Sequence, residues 1–167
     1  MEGRFNGIKR LNAEIRECNK CILSKTRISA LTGEGKLNAR LMLIAQASGK
    51  NEDQERIMFI GPSGKVLDEL LQISDFDRKE LYMTNIVKCM LLKYRKPKED
   101  EIDIFSGYLD REVKLVDPKI LVPLGHCSTT YIFKKYNLLI PSKQDFYGFY
   151  GYLFLSASRK ILPLRNM

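Results

Sequence analysis

Four cysteines, one histidine and a few amides and carboxylates at loop positions carry most of the reactive chemistry in this 167-residue chain. Cys18 and Cys21 form a C-x-x-C pair, and Cys89 and Cys127 stand singly further along. In a reducing compartment such a pair is half of a metal, cluster or redox site rather than a disulfide. His126 is the single histidine, which excludes a multi-histidine zinc site or a histidine pair; it reads as a loop or helix-start residue. Ser48-Gly49-Lys50-Asn51-Glu52-Asp53 reads as a polar loop that ends in two adjacent carboxylates. Those carboxylates are either solvated loop charge or acid–base groups. Phe59 precedes the tight turn Gly61-Pro62-Ser63-Gly64, and Lys93-Tyr94-Arg95-Lys96-Pro97-Lys98 is a basic stretch. Basic charge of that kind holds phosphates without reading sequence, or simply faces solvent.

The elements that must position these groups follow from hydrophobic spacing. Phe5, Ile8, Leu11 and Ile15 recur at near-helical intervals and predict a short amphipathic helix over 5–19. Residues 40–46 form a continuous apolar run, the pattern of a strand buried on both faces. The Gly61 turn opens a helix with Val66, Leu67, Leu70 and Leu71 on one face. A second strand is predicted at 80–85, a helix at 101–116, a third strand at 119–125 and a further helix at 128–135. The segments 151–155 and 160–164 read as closing strands or a hairpin. The alternation predicts an α/β domain of three layers, with a central, mainly parallel four-stranded sheet flanked by helices, over 1–167 as one domain. In such sheets the site lies at the carboxyl ends of the strands. Gln46, Asn85 and Gly125 mark those ends.

Composition narrows the partners. Twenty-eight Lys and Arg against 20 Asp and Glu give a formal net charge of +8, which favours polyanions, nucleic acid first among them. No apolar run approaches the roughly 20 residues of a membrane span. Met1-Glu2-Gly3-Arg4-Phe5 lacks the apolar core of a signal peptide. A cytoplasmic protein with no membrane partner is the expectation.

The motifs together resemble the family 4, or iron–sulfur, uracil-DNA glycosylases. Ile44-Ala45-Gln46-Ala47-Ser48-Gly49-Lys50-Asn51-Glu52-Asp53 resembles that family's first motif, of the type G-E-A-P-G-x-x-E-D. Met58-Phe59-Ile60-Gly61-Pro62-Ser63-Gly64-Lys65-Val66-Leu67 resembles its P-F-x-G-x-x-G-x-x-L, and Thr84-Asn85-Ile86-Val87-Lys88-Cys89 its T-N-x-x-K-C. Cys18-x-x-Cys21-x-Leu23-x-x-x-Arg27 is similar to its N-terminal cysteine motif, and the strand at 119–125 to its strand ending in Leu-Gly. The ordered set covers the chain from about residue 12 onward.

The resemblance implies a uracil-DNA glycosylase-like fold. It also implies DNA repair, in which uracil is flipped out of DNA and its N-glycosidic bond hydrolysed to leave an abasic site. The partner is uracil-containing DNA, single- or double-stranded, and the protein acts as a monomer. Phe59 is implied to stack on the flipped base; its other reading is a core ring beside the turn. Asn85 is implied to bond the O4 and N3 edge of uracil, which cytosine presents in the opposite sense; its other reading is a loop cap. Gln46 stands where the family has its first acidic residue, and Glu52 and Asp53 retain the second. Asn166 stands where the family's late H-P-S or H-P-A motif has histidine, at a chain end expected to fray. Ser63, Lys65 and Arg165 border the implied site as DNA contacts. The family's 4Fe-4S cluster is implied at Cys18, Cys21 and Cys89, with Phe105 at the fourth ligand position; Cys127 has no counterpart and reads as a buried small residue opening a helix. Two further readings stand beside this one. The first is a catalytically impaired or truncated relative that binds DNA or uracil without efficient cleavage. The second is a C-x-x-C redox or zinc module on an α/β domain.

Overall fold

A computed structural model describes residues 2–142 and 144–167, with the side chain of Tyr94 outside the described set. Its centre is a parallel sheet of β2 (Leu41–Ala45), β3 (Leu81–Asn85), β4 (Ile120–Pro123) and β6 (Lys160–Ile161), in the spatial order β3-β2-β4-β6. Two short antiparallel strands extend it, β1 (Glu34–Gly35) beside β3 and β5 (Phe154–Leu155) beside β6. Among the described residues the sheet thus has six strands rather than four. The four parallel strands agree with the sequence pattern. β5 and β6 pair antiparallel within the segments 151–155 and 160–164 expected as closing strands or a hairpin, whereas β1, two residues long, is too short for any alternation to register.

Alternation along the strands separates two cores. Met42, Ile44, Tyr82, Leu121 and Ile161 face one side, where they meet α1 (Glu2–Glu17), α4 (Glu99–Val116) and α5 (Gly125–Lys135). Leu43, Leu81, Met83 and Val122 face the other, where they meet Phe59 and, from α3 (Pro62–Ile73), Leu67. Helices therefore lie on both faces of the sheet, as the three-layer expectation requires. β3 is buried along its whole length, its apolar first three residues in the two cores and its polar last two, Thr84 and Asn85, at the end that meets the buried network and the cleft. In α1 the residues Ile8, Leu11 and Ile15 are buried, while Phe5 is exposed with the Lys9 ammonium over its ring.

Three local expectations are corrected. The stretch 48–53 is not a loop throughout, because α2 (Lys50–Glu55) occupies most of it. All six of its residues are polar, so no apolar period announces it, and its buried side consists of Glu52 and Asp53. The apolar stripe of α3 is only half used: Leu67 is buried, but Val66 and Leu70 are exposed. α5 starts at Gly125, three residues before the expected start, directly from the end of β4. None of the helices among the described residues is long and apolar enough to cross a membrane.

One charged pair lies wholly inside. Lys88 and Glu112 are both fully buried, with Nζ 2.5 Å from Oε2. The same ammonium donates to Thr84 Oγ1 at 2.6 Å, and Thr84 Oγ1 donates to Glu112 Oε2 at 2.8 Å. Glu112 Oε1 accepts the Gly33 amide at 3.0 Å. Only glycine fits there, since a Cβ at position 33 would lie 2.4 Å from the Tyr82 hydroxyl. Burial pulls the Lys88 pKa down, and Glu112 opposes that pull. The network fastens the end of β3 to α4 and to the loop before β1. Removing one partner strands the other charge, a cost of about 3–5 kcal/mol. Urea denaturation of Glu112→Leu is expected to show a loss of that size, and the double variant Lys88→Met/Glu112→Leu to recover most of it.

Candidate functional site

The site is built around an unusual backbone. Phe59 has φ of 53°, a left-handed conformation that costs a bulky residue about 1–3 kcal/mol unless its surroundings enforce it. Here they do so from three directions. Glu52 Oε1 accepts the amides of Ile60 at 3.1 Å and Gly61 at 2.8 Å. Arg78 Nη2 donates to the carbonyls of Met58 at 2.6 Å and Phe59 at 3.2 Å, while its Nη1 is held by Asp68 at 2.7 Å. Gly64, in the first turn of α3, lies so close that a Cβ there would fall 1.7 Å from the Phe59 carbonyl oxygen. Asp53 anchors α2 from behind: its carboxylate accepts the amides of Ile28 and Ser29, and Ser29 Oγ donates to the Asp53 carbonyl.

Glu52 and Asp53 are therefore not solvated loop charge. Both are buried and engaged with backbone amides. Sequence reasoning placed them near the site but could not show these partners. It missed Arg78 altogether, because contacts with distant carbonyls leave no local pattern.

The strand ends bring the remaining groups to Phe59. The register pairs Ala45 with Asn85, so Gln46 and Asn85 emerge side by side. The Gln46 backbone carbonyl accepts the Val87 amide at 3.0 Å. Asn85 is buried, with Nδ2 3.6 Å from Met58 Sδ. At the next strand end, Gly125 adopts φ of 77°, and a Cβ there would lie 3.1 Å from Asn166 Cβ. The chain end is fastened rather than frayed. Gly125 N donates to Leu164 O at 2.8 Å, Leu164 N to Pro123 O at 3.0 Å, and Ser63 Oγ to Met167 O at 2.9 Å.

Gln46, Phe59, Ser63, Asn85, Arg165 and Asn166 all line one cleft of about 1840 Å³, and Glu52 lies in its floor. Lys65 is exposed on α3 and is not part of that lining. His126, the second residue of α5, is exposed at the cleft with its ring 4.2 Å from that of Phe146.

Three of the four cysteines lie on the face of the sheet covered by α1, α4 and α5. Cys18, Cys89 and Phe105 belong to the same core, with Cys21 packed against it. Arg27 reaches into this group: Nη1 donates to Cys89 Sγ at 3.0 Å and Nη2 to the Cys18 carbonyl at 2.6 Å. Burial pushes the Cys89 thiol up to about 11, against the pull of Arg27. Phe105 is fully buried beside Tyr108, with ring centroids 6.3 Å apart. Cys127 lies in the first turn of α5, half-buried in the cleft wall. Among the described residues no group of three or more His, Cys, Asp or Glu side chains is arranged to hold a metal ion. A 4Fe-4S cluster ordinarily takes four thiolates. Three thiols, a phenyl ring in the fourth place and a guanidinium on one sulfur do not fit that shell.

Comparison with known proteins is specific. The profile described as the uracil DNA glycosylase superfamily matches residues 32–166. The type-4 uracil-DNA glycosylase of Saccharolobus solfataricus is 42% identical over 149 residues, which cover 85% of this chain and 69% of that protein. The type-4 uracil-DNA glycosylase of Sulfurisphaera tokodaii is 40% identical over 132 residues, covering 78% of this chain and 60% of its own length. That of Archaeoglobus fulgidus is 33% identical over 125 residues, covering 75% and 63%. The chain thus spans about two thirds of the length of these relatives.

The cysteine geometry has a measurable outcome. Protein isolated without oxygen is expected to carry iron and acid-labile sulfide far below the four of each in a full cluster. Phe105→Cys is expected to raise both and to add absorbance in the visible. Iron and sulfide assays check this.

Proposed function

This chain belongs to the uracil-DNA glycosylase superfamily, and on that premise we propose that it extrudes uracil from DNA and hydrolyses the N-glycosidic bond, leaving an abasic site. The observation that carries the reading is the convergence of Phe59, Asn85 and Gln46 on one cleft, with Phe59 held in a left-handed turn. A base taken out of the stack needs a flat apolar surface and a polar edge reader. Phe59 supplies the surface. The Asn85 amide donates to uracil O4 and accepts from N3–H, and cytosine presents that pair reversed.

Bond cleavage develops positive charge on the sugar and negative charge on the departing uracil, and it needs a water. Gln46 orients that water. Asn166 donates a hydrogen bond toward the developing anion from its position over Gly125. Glu52 lends its charge to the site but spends one oxygen on the Ile60 and Gly61 amides, so in this reading it positions the Phe59 turn. Ser63 holds the chain end beside the cleft, and Arg165 and Lys65 contact phosphates. The reading carries no cluster-dependent step; Cys18, Cys21 and Cys89 serve as core residues around Arg27. All of these groups come from one chain, which suits a monomer, and free cysteines suit the cytoplasm.

A second reading is favoured by one feature. Neither Gln46 nor Asn166 carries charge, and the two buried carboxylates are engaged with amides. A chain so equipped binds uracil-containing DNA with little cleavage.

Uracil release from single-stranded and U:G duplex DNA separates the two. Release above a buffer control is expected. Folded protein that binds the DNA and releases none would leave the second reading. Within the first, Asn85→Ala is expected to lower kcat/KM by about 10²–10³, and Gln46→Glu to raise kcat by restoring a carboxylate that can take the proton of the water. Steady-state kinetics on one uracil-containing oligonucleotide measure both.

A further inference from the structure

The lining of the cleft includes an aromatic row that the proposed uracil-reading groups do not use. The short 3-10 helix Asp145–Phe149 and the residue after it present Phe146, Tyr147 and Tyr150 in sequence. The ring of Phe146 meets His126 at 4.2 Å and Tyr150 at 5.6 Å. Tyr150 meets Tyr147 edge-on at 6.3 Å. The Arg165 guanidinium lies over the Tyr147 ring at 5.1 Å. The result is a continuous row of four rings that ends on a cation, one residue before Asn166. Every member lines the same cleft as Phe59 and Asn85.

The row is graded in burial. Phe146 is buried and anchors it, Tyr150 is partly covered, and Tyr147 is 67% exposed at the outer end. Arg165 covers one face of Tyr147, and that degree of exposure leaves a flat surface to solvent. Exposed aromatic faces beside a cation are the surfaces on which unpaired nucleobases stack, with the guanidinium available to stack or to hold a phosphate. Bases in a duplex already stack on their neighbours and have no free face to offer. The chain's net charge of +8 and the flanking Lys96 and Lys134 of the cleft wall complement a polyanion.

We propose that Tyr147, Tyr150 and Arg165 form a shelf for the unpaired nucleotides that flank the extruded uracil, so that this cleft selects single-stranded DNA. The shelf rests on the glycosylase reading for its place in catalysis. Its ability to bind unpaired bases does not depend on cleavage.

The test uses the full chain and two measurements. Fluorescence anisotropy with uracil-free oligothymidylate reads the shelf alone. Tyr147→Ala is expected to weaken this binding about tenfold, in line with the loss of one base–aromatic stack. Tyr147→Phe keeps the ring and is expected to retain wild-type affinity. Tyr152→Ala removes a tyrosine of similar exposure, 66%, outside the cleft lining, and is expected to bind as wild type does. Uracil release from single-stranded DNA, run in parallel, reports on the glycosylase reading separately. Absence of release with Tyr147-dependent binding refutes cleavage and keeps the shelf. Unchanged oligothymidylate binding by Tyr147→Ala, or an equal loss with Tyr152→Ala, overturns the shelf whatever the release assay gives. So does a protein that binds duplex and single strand equally through Tyr147.

Discussion

A phenylalanine in a left-handed turn is the constraint around which this molecule is arranged. Phe59 cannot hold φ of 53° by itself. Glu52 fixes the amides after it, Arg78 fixes the carbonyls at and before it, and Gly64 removes the atom that would collide with it. These three come from α2, from the segment before β3 and from α3. The folding of three separate elements is thereby focused on one ring. Strain held in this way persists only where the surroundings over-determine it, and such places gather at functional sites. The turn is formed before any ligand arrives, so little ordering remains to oppose binding.

The end of β3 and the residues after it concentrate several duties in a few positions. Asn85 faces the cleft, Lys88 joins the buried pair with Glu112, and Cys89 accepts from Arg27. Thr84, one residue earlier, lies inside the same buried network. The ammonium of Lys88 therefore sets the path of the backbone that carries both Asn85 and a thiol. The fold tolerates a buried charge at this point because the Lys88 ammonium has both the Glu112 carboxylate and the Thr84 hydroxyl as partners, and the second Glu112 oxygen is met by the Gly33 amide. The chain end plays a parallel part on the other side of the cleft, where backbone bonds to Leu164 and the Ser63 hydroxyl on Met167 keep Asn166 over Gly125.

The sequence made the parallel core visible because β2 and β4 are short apolar runs and β3 opens on one, alternating with helical segments along the chain. It hid α2, whose six residues are polar and whose buried side is two carboxylates. It overstated α3, where Val66 and Leu70 repeat at helical spacing yet remain exposed. Phe59, Asn85, Gln46 and Asn166 were legible through ordered motifs, and the structure brings them to one cleft. The work of Arg78, and the tie of Arg27 to Cys89, were not legible. Each depends on contacts across 19 or more positions, and no local pattern records them. The aromatic row from His126 to Arg165 was invisible for the same reason, since its members come from three separate stretches of chain.

The most direct measurement is a structure of the chain with free uracil bound. The result expected is a uracil ring stacked on Phe59, the turn unchanged, with N3 and O4 within hydrogen-bond distance of the Asn85 amide. Uracil seated elsewhere, or in the cleft but turned away from both residues, would contradict the account.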